Sequence, residues 1–151
     1  MRIHNDQDRV IVVVREPLGE FYALAPGGGF EVRGELDDFE DTEVGDHVVT
    51  LWGLNLRYFH YGLELAGHPA DEPVAELEVN DEKRIAELNK LADFMKHRGT
   101  LDGLVAAAII QSLVFEGHPE ATSIASKFID DHDATVRDCA RHAVGLQRAT
   151  G

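Results

Sequence analysis

The chain has 151 residues, an apolar share of 44%, and 14 basic against 28 acidic side chains, for a formal net charge of −14. That length suits one domain, or two small ones sharing a core, and the apolar content excludes a globally disordered chain. The charge disfavours direct binding to DNA or RNA, because phosphates need a basic face, and no apolar run approaches the ~20 residues of a membrane span.

The first residues, MRIHNDQDR, lack the apolar stretch of a signal peptide, so a cytoplasmic chain is expected. Arg9 to Arg15 is a continuous β-branched run and predicts a buried strand. Pro17 and Gly19 turn the chain, and Glu20 to Ala25 is a second strand. Pro26-Gly27-Gly28-Gly29 is a turn; it has neither the Lys-Ser/Thr of a phosphate loop nor the spacing of a dinucleotide fingerprint. Phe30 to Leu36 alternates as a third strand, with Phe30, Val32 and Gly34 on one face. His47 to Trp52 follows the acidic stretch described below. In Leu54 to Leu65, Phe59, Tyr61, Leu63 and Leu65 share one face by alternation, while Arg57, Tyr58, His60 and Glu64 fall outside that set. Gly62 marks a bulge or a close approach. Val74 to Val79 completes about six strands, which predicts an antiparallel sandwich or barrel over residues 1–79.

Charge is unevenly shared. Residues 1–79 hold 5 basic and 17 acidic side chains, whereas residues 80–151 hold 9 and 11. Glu35 to Asp46, ELDDFEDTEVGD, has seven acids in twelve residues. Taken alone, such a cluster is a solvated loop. Phe39, an aromatic flanked by acids, gives it a possible contact anchor. Asp37, Asp38, Phe39, Glu40, Asp41 and Glu43 are therefore the candidate partner-binding residues, and the partner they fit is a basic protein.

Asn80 or Asp81 can cap a helix beginning at Glu82, and strand alternation gives way to helical spacing there. Helices are predicted at Glu82–Arg98 and Asp102–Phe115, with Gly117-His118-Pro119 as a turn. In the next helix Ala121, Ile124, Ala125, Phe128 and Ile129 draw one apolar stripe. Asp133 is a good N-cap for a last helix that buries Val136, Cys139, Ala140, Ala143, Val144 and Leu146 and can end at Gly145. The expected fold is α+β, an antiparallel β domain (1–79) followed by a four-helix domain (80–151), with the two halves packed together.

Pro119-Glu120-Ala121, Asp131-His132-Asp133, Val136-Arg137, Ala140, Ala143 and Gly145 together resemble one HEAT repeat. Val105-Ala106-Ala107-Ala108 stands in the matching place of a preceding unit, so the resemblance covers roughly residues 82–147. It implies a structural role for Arg137, reaching the inter-helix turn at Asp130, Asp131 or Asp133. The segments LAPGGGFEVRGE, HVVTLWG and YGLELAG are similar to small actinobacterial β-domain proteins without an assigned activity, a likeness that implies no functional residues.

Eight histidines raise the question of a metal, and His47, His60 and His68 all lie in the β half. No His-x-His, His-x-x-x-His or Cys-x-x-Cys pair occurs, so a zinc site has no local nucleus and no metal or cofactor is expected. The single cysteine, Cys139, excludes an internal disulfide, and no serine sits on a strand–turn–helix elbow, so no catalytic residue is assigned. The sequence fits a non-enzymatic interaction or adaptor protein. An immunity protein or toxin inhibitor, and a metal enzyme with a histidine site in the β half, are the alternatives.

Overall fold

Eight strands come first in the computed structural model, which describes residues 1–16, 19–34, 41–53, 56–65 and 78–150. They are β1 (Arg2–His4), β2 (Ile11–Glu16), β3 (Glu20–Leu24), β4 (Gly29–Arg33), β5 (Asp41–Val44), β6 (Val48–Trp52), β7 (Arg57–His60) and β8 (Leu63–Glu64). Four α-helices follow: α1 (Asp81–Phe94), α2 (Gly103–Phe115), α3 (Ala121–Ser126) and α4 (Ala134–Thr150), with a 3-10 segment Met95–Thr100 after α1. The α+β class is thus the one the sequence predicts, with helices beginning where the hydrophobic period changes.

The strands form two four-stranded sheets, β1-β4-β7-β8 and β3-β2-β6-β5, and neither closes into a barrel. Five pairings are antiparallel, but β2 and β6 run parallel, Val12 opposite Val48 through Glu16 opposite Trp52. A purely antiparallel arrangement is therefore corrected at this one ladder. Parallel pairing needs a crossover rather than a hairpin, and here the chain passes through the first sheet between β3 and β5.

Why β2 is a continuous apolar run is now visible. Ile11 and Val13 face the first sheet with Tyr22, Leu24, Phe30, Val32, Leu51 and Tyr58. Val10 and Val12 face the other way, with Ala23 and Ala25, onto Leu88, Leu91, Ile109 and Leu113 of the helices. The molecule is thus sheet, sheet and helix in three layers, and β2 is the middle of the middle layer. α2 accordingly buries nearly every side, from Val105 to Ile110 without a break, because β3, α1, α3 and α4 surround it.

The helix caps follow the sequence. Asn80 Oδ1 accepts from the Lys83 amide, Asp102 Oδ1 from Leu104, and Asp133 Oδ1 from Thr135 and Val136. Gly117, at φ +69°, ends α2 with the His118 amide donating to the Leu113 carbonyl and the Gly117 amide to that of Val114, a Schellman closure. α3 is shorter than its apolar stripe and ends at Ser126, whereas α4 runs past Gly145 to Thr150.

The strands differ from the sequence reading at four points. β1 lies in the N-terminal polar stretch and owes its place to pairing with β4, not to its own apolar content. β5 lies where a solvated loop is the simplest reading of the acids. Residues 74–77 of the expected last strand lie outside the described residues, and residues 78–80 are not strand. Finally, Tyr58 and His60 face inward and are fully buried, because the two-residue turn Tyr61-Gly62 ends β7 and resets the alternation before β8.

Candidate functional site

Of the predicted partner-binding residues, Asp37, Asp38, Phe39 and Glu40 lie outside the described residues. Asp41 and Glu43 lie on β5, which pairs with β6 alone and so forms the edge of its sheet among the described residues. The Gly45 amide donates to the Val48 carbonyl at 2.7 Å, and the register continues as Val44 opposite Val49, Glu43 opposite Thr50, Thr42 opposite Leu51 and Asp41 opposite Trp52. Hydrogen-bonded and non-hydrogen-bonded pairs alternate along an antiparallel ladder. Glu43 and Asp41 therefore share hydrogen bonds with β6, and the backbone N–H and C=O of Thr42 and Val44 point to the open side.

Trp52 ends β6 beside this edge and is 36% exposed. It sits between Asp41 of β5 and Glu16 of β2, its two cross-strand neighbours. The opposite edge of the same sheet is finished differently. The Ala23 amide of β3 donates to Ser112 Oγ of α2 at 2.8 Å, so a helix closes that side.

In the inter-helix turn the predicted residues come together. Arg137 Nη1 donates to the Asp131 carbonyl oxygen at 3.2 Å, and Asp133 caps α4. The Asp131 carboxylate has a different cation: Arg98, from the 3-10 segment, binds it with Nε at 3.1 Å and Nη2 at 2.7 Å. Burial pushes the Asp131 carboxyl up, but the Arg98 hydrogen bond and the Asp133 amide outweigh it, and the net shift is downward. Arg98 carries no motif, and only the fold brings it to a turn 33 residues away.

The feature that sequence reasoning missed is buried. His60, at the end of β7, lies between two carboxylates: Nε2 to Glu87 of α1 at 2.7 Å, and Nδ1 to Glu116, just past α2, at 2.5 Å. Arg84 stands 3.9 Å from the Glu116 carboxylate and donates to the Glu116 carbonyl, and the Tyr61 hydroxyl reaches Glu87 at 3.4 Å. All three side chains of the His60 group are at most 4% exposed. Burial alone would lower the His60 pKa; the hydrogen bonds and charges of Glu116 and Glu87 overcome that and raise it to about 9. With Arg84 the cluster pairs two cations with two anions.

Local structure builds this site. The Gly117 closure follows Glu116, the C-cap of α2, whose carboxylate reaches His60 of the sheet. A side chain at Gly28 would overlap the Glu87 carboxylate, so glycine there makes room for it. Tyr61 adopts φ +48°, the left-handed region that a two-residue hairpin turn demands and a tyrosine rarely takes. Two acids on different helices and a strand histidine share no spacing, so nothing in the sequence pattern could link them.

Both His60 ring nitrogens are thus engaged, and the cluster holds charge rather than offering a free base or ligand. His68 lies outside the described residues, and among those described no group of three His, Cys, Asp or Glu side chains is arranged to hold a metal ion. Cys139 is half-buried, and burial pushes its thiol pKa up. No described helix is long and apolar enough to cross a membrane. Comparison with protein-family models, curated proteins and solved structures returns no match.

Proposed function

We propose that this chain is a non-enzymatic interaction or adaptor protein of the cytoplasm, whose acidic strand half receives a basic protein partner. One observation carries the reading: Trp52, exposed on β6, is the ladder partner of Asp41 on β5, the strand that no other strand covers among the described residues, in the half of the chain with 5 basic and 17 acidic side chains. Exposed tryptophans are favoured anchors of protein contacts, and a dense field of one sign steers a partner of the other. Phe39, flanked by Asp38 and Glu40, adds an aromatic within the acidic run itself. The helices, in their resemblance to HEAT repeats, serve as the frame that holds the sheet. An immunity protein or toxin inhibitor is one biological form of this reading, with the basic cleft of a toxin as the partner surface.

The test begins with affinity capture from the native host and continues with the purified captured protein. A basic partner whose association slows steeply as salt rises supports the reading, because exposed charges are screened beyond about 8–10 Å. A purified partner that is acidic, or that associates at a rate independent of salt, overturns it.

A further inference from the structure

We infer that the partner joins by strand addition: an extended basic segment pairs with the open side of β5 and lays a lysine or arginine against Trp52. This rests on the basic-partner reading and adds how the partner is held.

The edge supplies the backbone groups. Thr42 and Val44 turn their N–H and C=O away from β6, which gives an incoming strand two donors and two acceptors in the ordinary ladder spacing. Of this sheet's two edges, the β3 edge is met by Ser112 of α2, whereas β5 has no strand partner beyond β6 among the described residues.

Charge selects the occupant. Natural edge strands avoid self-pairing by placing charge along the edge. A second copy of this chain would set Asp41 and Glu43 of one β5 against the same acids of another, which is unfavourable. A basic strand would instead meet Asp41 and Glu43 with opposite charge, and Asp46 follows in the turn to β6. Trp52 adds a ring at the Asp41 end of the ladder, where a cation on the incoming strand can stack while it faces the acids.

The probe is a synthetic peptide of about six residues, alternating lysine and valine, with a glutamate–valine peptide as its control. Binding is followed by nuclear magnetic resonance with amide exchange. The basic peptide is expected to bind at low salt and to slow exchange at Thr42 and Val44. Thr42→Pro, which removes one outward N–H and leaves the β6 ladder, is expected to weaken binding about tenfold, while Thr42→Val retains it. Trp52→Ala is expected to weaken it about threefold.

If the peptide binds without protecting those amides, or if Thr42→Pro keeps its circular dichroism and binds as the parent does, strand addition is wrong and the basic-partner reading stands. If the glutamate peptide binds equally well, or salt has no effect, the basic-partner reading itself fails. Binding of neither peptide at millimolar concentration overturns both.

Discussion

The Ala23 amide and Ser112 Oγ lie 2.8 Å apart, and this contact joins the edge of the central sheet to the middle of α2. Both residues are at most 1% exposed. Ser112→Ala would strand a buried N–H without access to water, at a cost of about 1–3 kcal/mol. Urea unfolding measures the loss, and faster amide exchange at Ala23 would assign it to this edge. An unchanged midpoint would mean that β3 is held by its apolar contacts alone.

His60 sets a pH dependence whose sign is fixed by its raised pKa. The unfolded imidazole titrates near 6.5 and the folded one at about 9. The cluster's contribution is therefore full below pH 6.5 and lost as pH rises through about 9, a change of order 3 kcal/mol. Unfolding midpoints at pH 6 and pH 9.5 check the fall in stability. His60→Gln should abolish most of that slope and destabilise at neutral pH by about 3–5 kcal/mol, because the buried Glu87 and Glu116 lose the imidazole cation they share. A variant with the parent's slope would place the titrating group elsewhere.

Two arginines share the turn between α3 and α4, and they should not count equally. Arg98 binds the Asp131 carboxylate with two nitrogens, whereas Arg137 gives one hydrogen bond to a carbonyl. Arg98→Ala is expected to cost about 2–3 kcal/mol and Arg137→Ala about 1 kcal/mol, with partner affinity unchanged in both. A double-mutant cycle of Arg98 and Asp131 should show coupling that Arg137 and the Asp131 side chain do not.

Gly62→Ala should destabilise by more than 1 kcal/mol. Its φ is +86°, and an added Cβ would run into the Glu78 carbonyl oxygen, which belongs to the backbone and cannot swing away. Thermal unfolding reads the change, and a neutral result would show that the Glu78 segment can retreat.

How much of this was legible in the sequence differs element by element. β2 announced itself, since burial on both faces leaves a strand no polar positions. The caps Asn80 and Asp133 and the Gly117 turn were legible because each acts within a few residues of its own position, and Asp102, read as the first residue of its helix, proves to be that helix's cap. β1 and β5 were not, because polar strands are specified by their neighbours across the sheet. The inward turn of Tyr58 and His60 was hidden by Tyr61-Gly62, where a tyrosine stands in place of the usual asparagine or glycine. Asp41 and Glu43 were legible as acids, but their position on what is an edge among the described residues, with Asp41 opposite Trp52, depends on a strand order that includes a parallel crossover.

The association rate of a purified basic partner with the fourfold variant Asp37→Asn, Asp38→Asn, Glu40→Gln and Asp41→Asn, in low salt, tests the acidic half most directly. Removing four acids should slow association by at least about tenfold and flatten its salt dependence, while stability stays equal or rises slightly as self-repulsion falls. Association at the parent rate would contradict the proposal and leave the acids of this stretch as solvated surface.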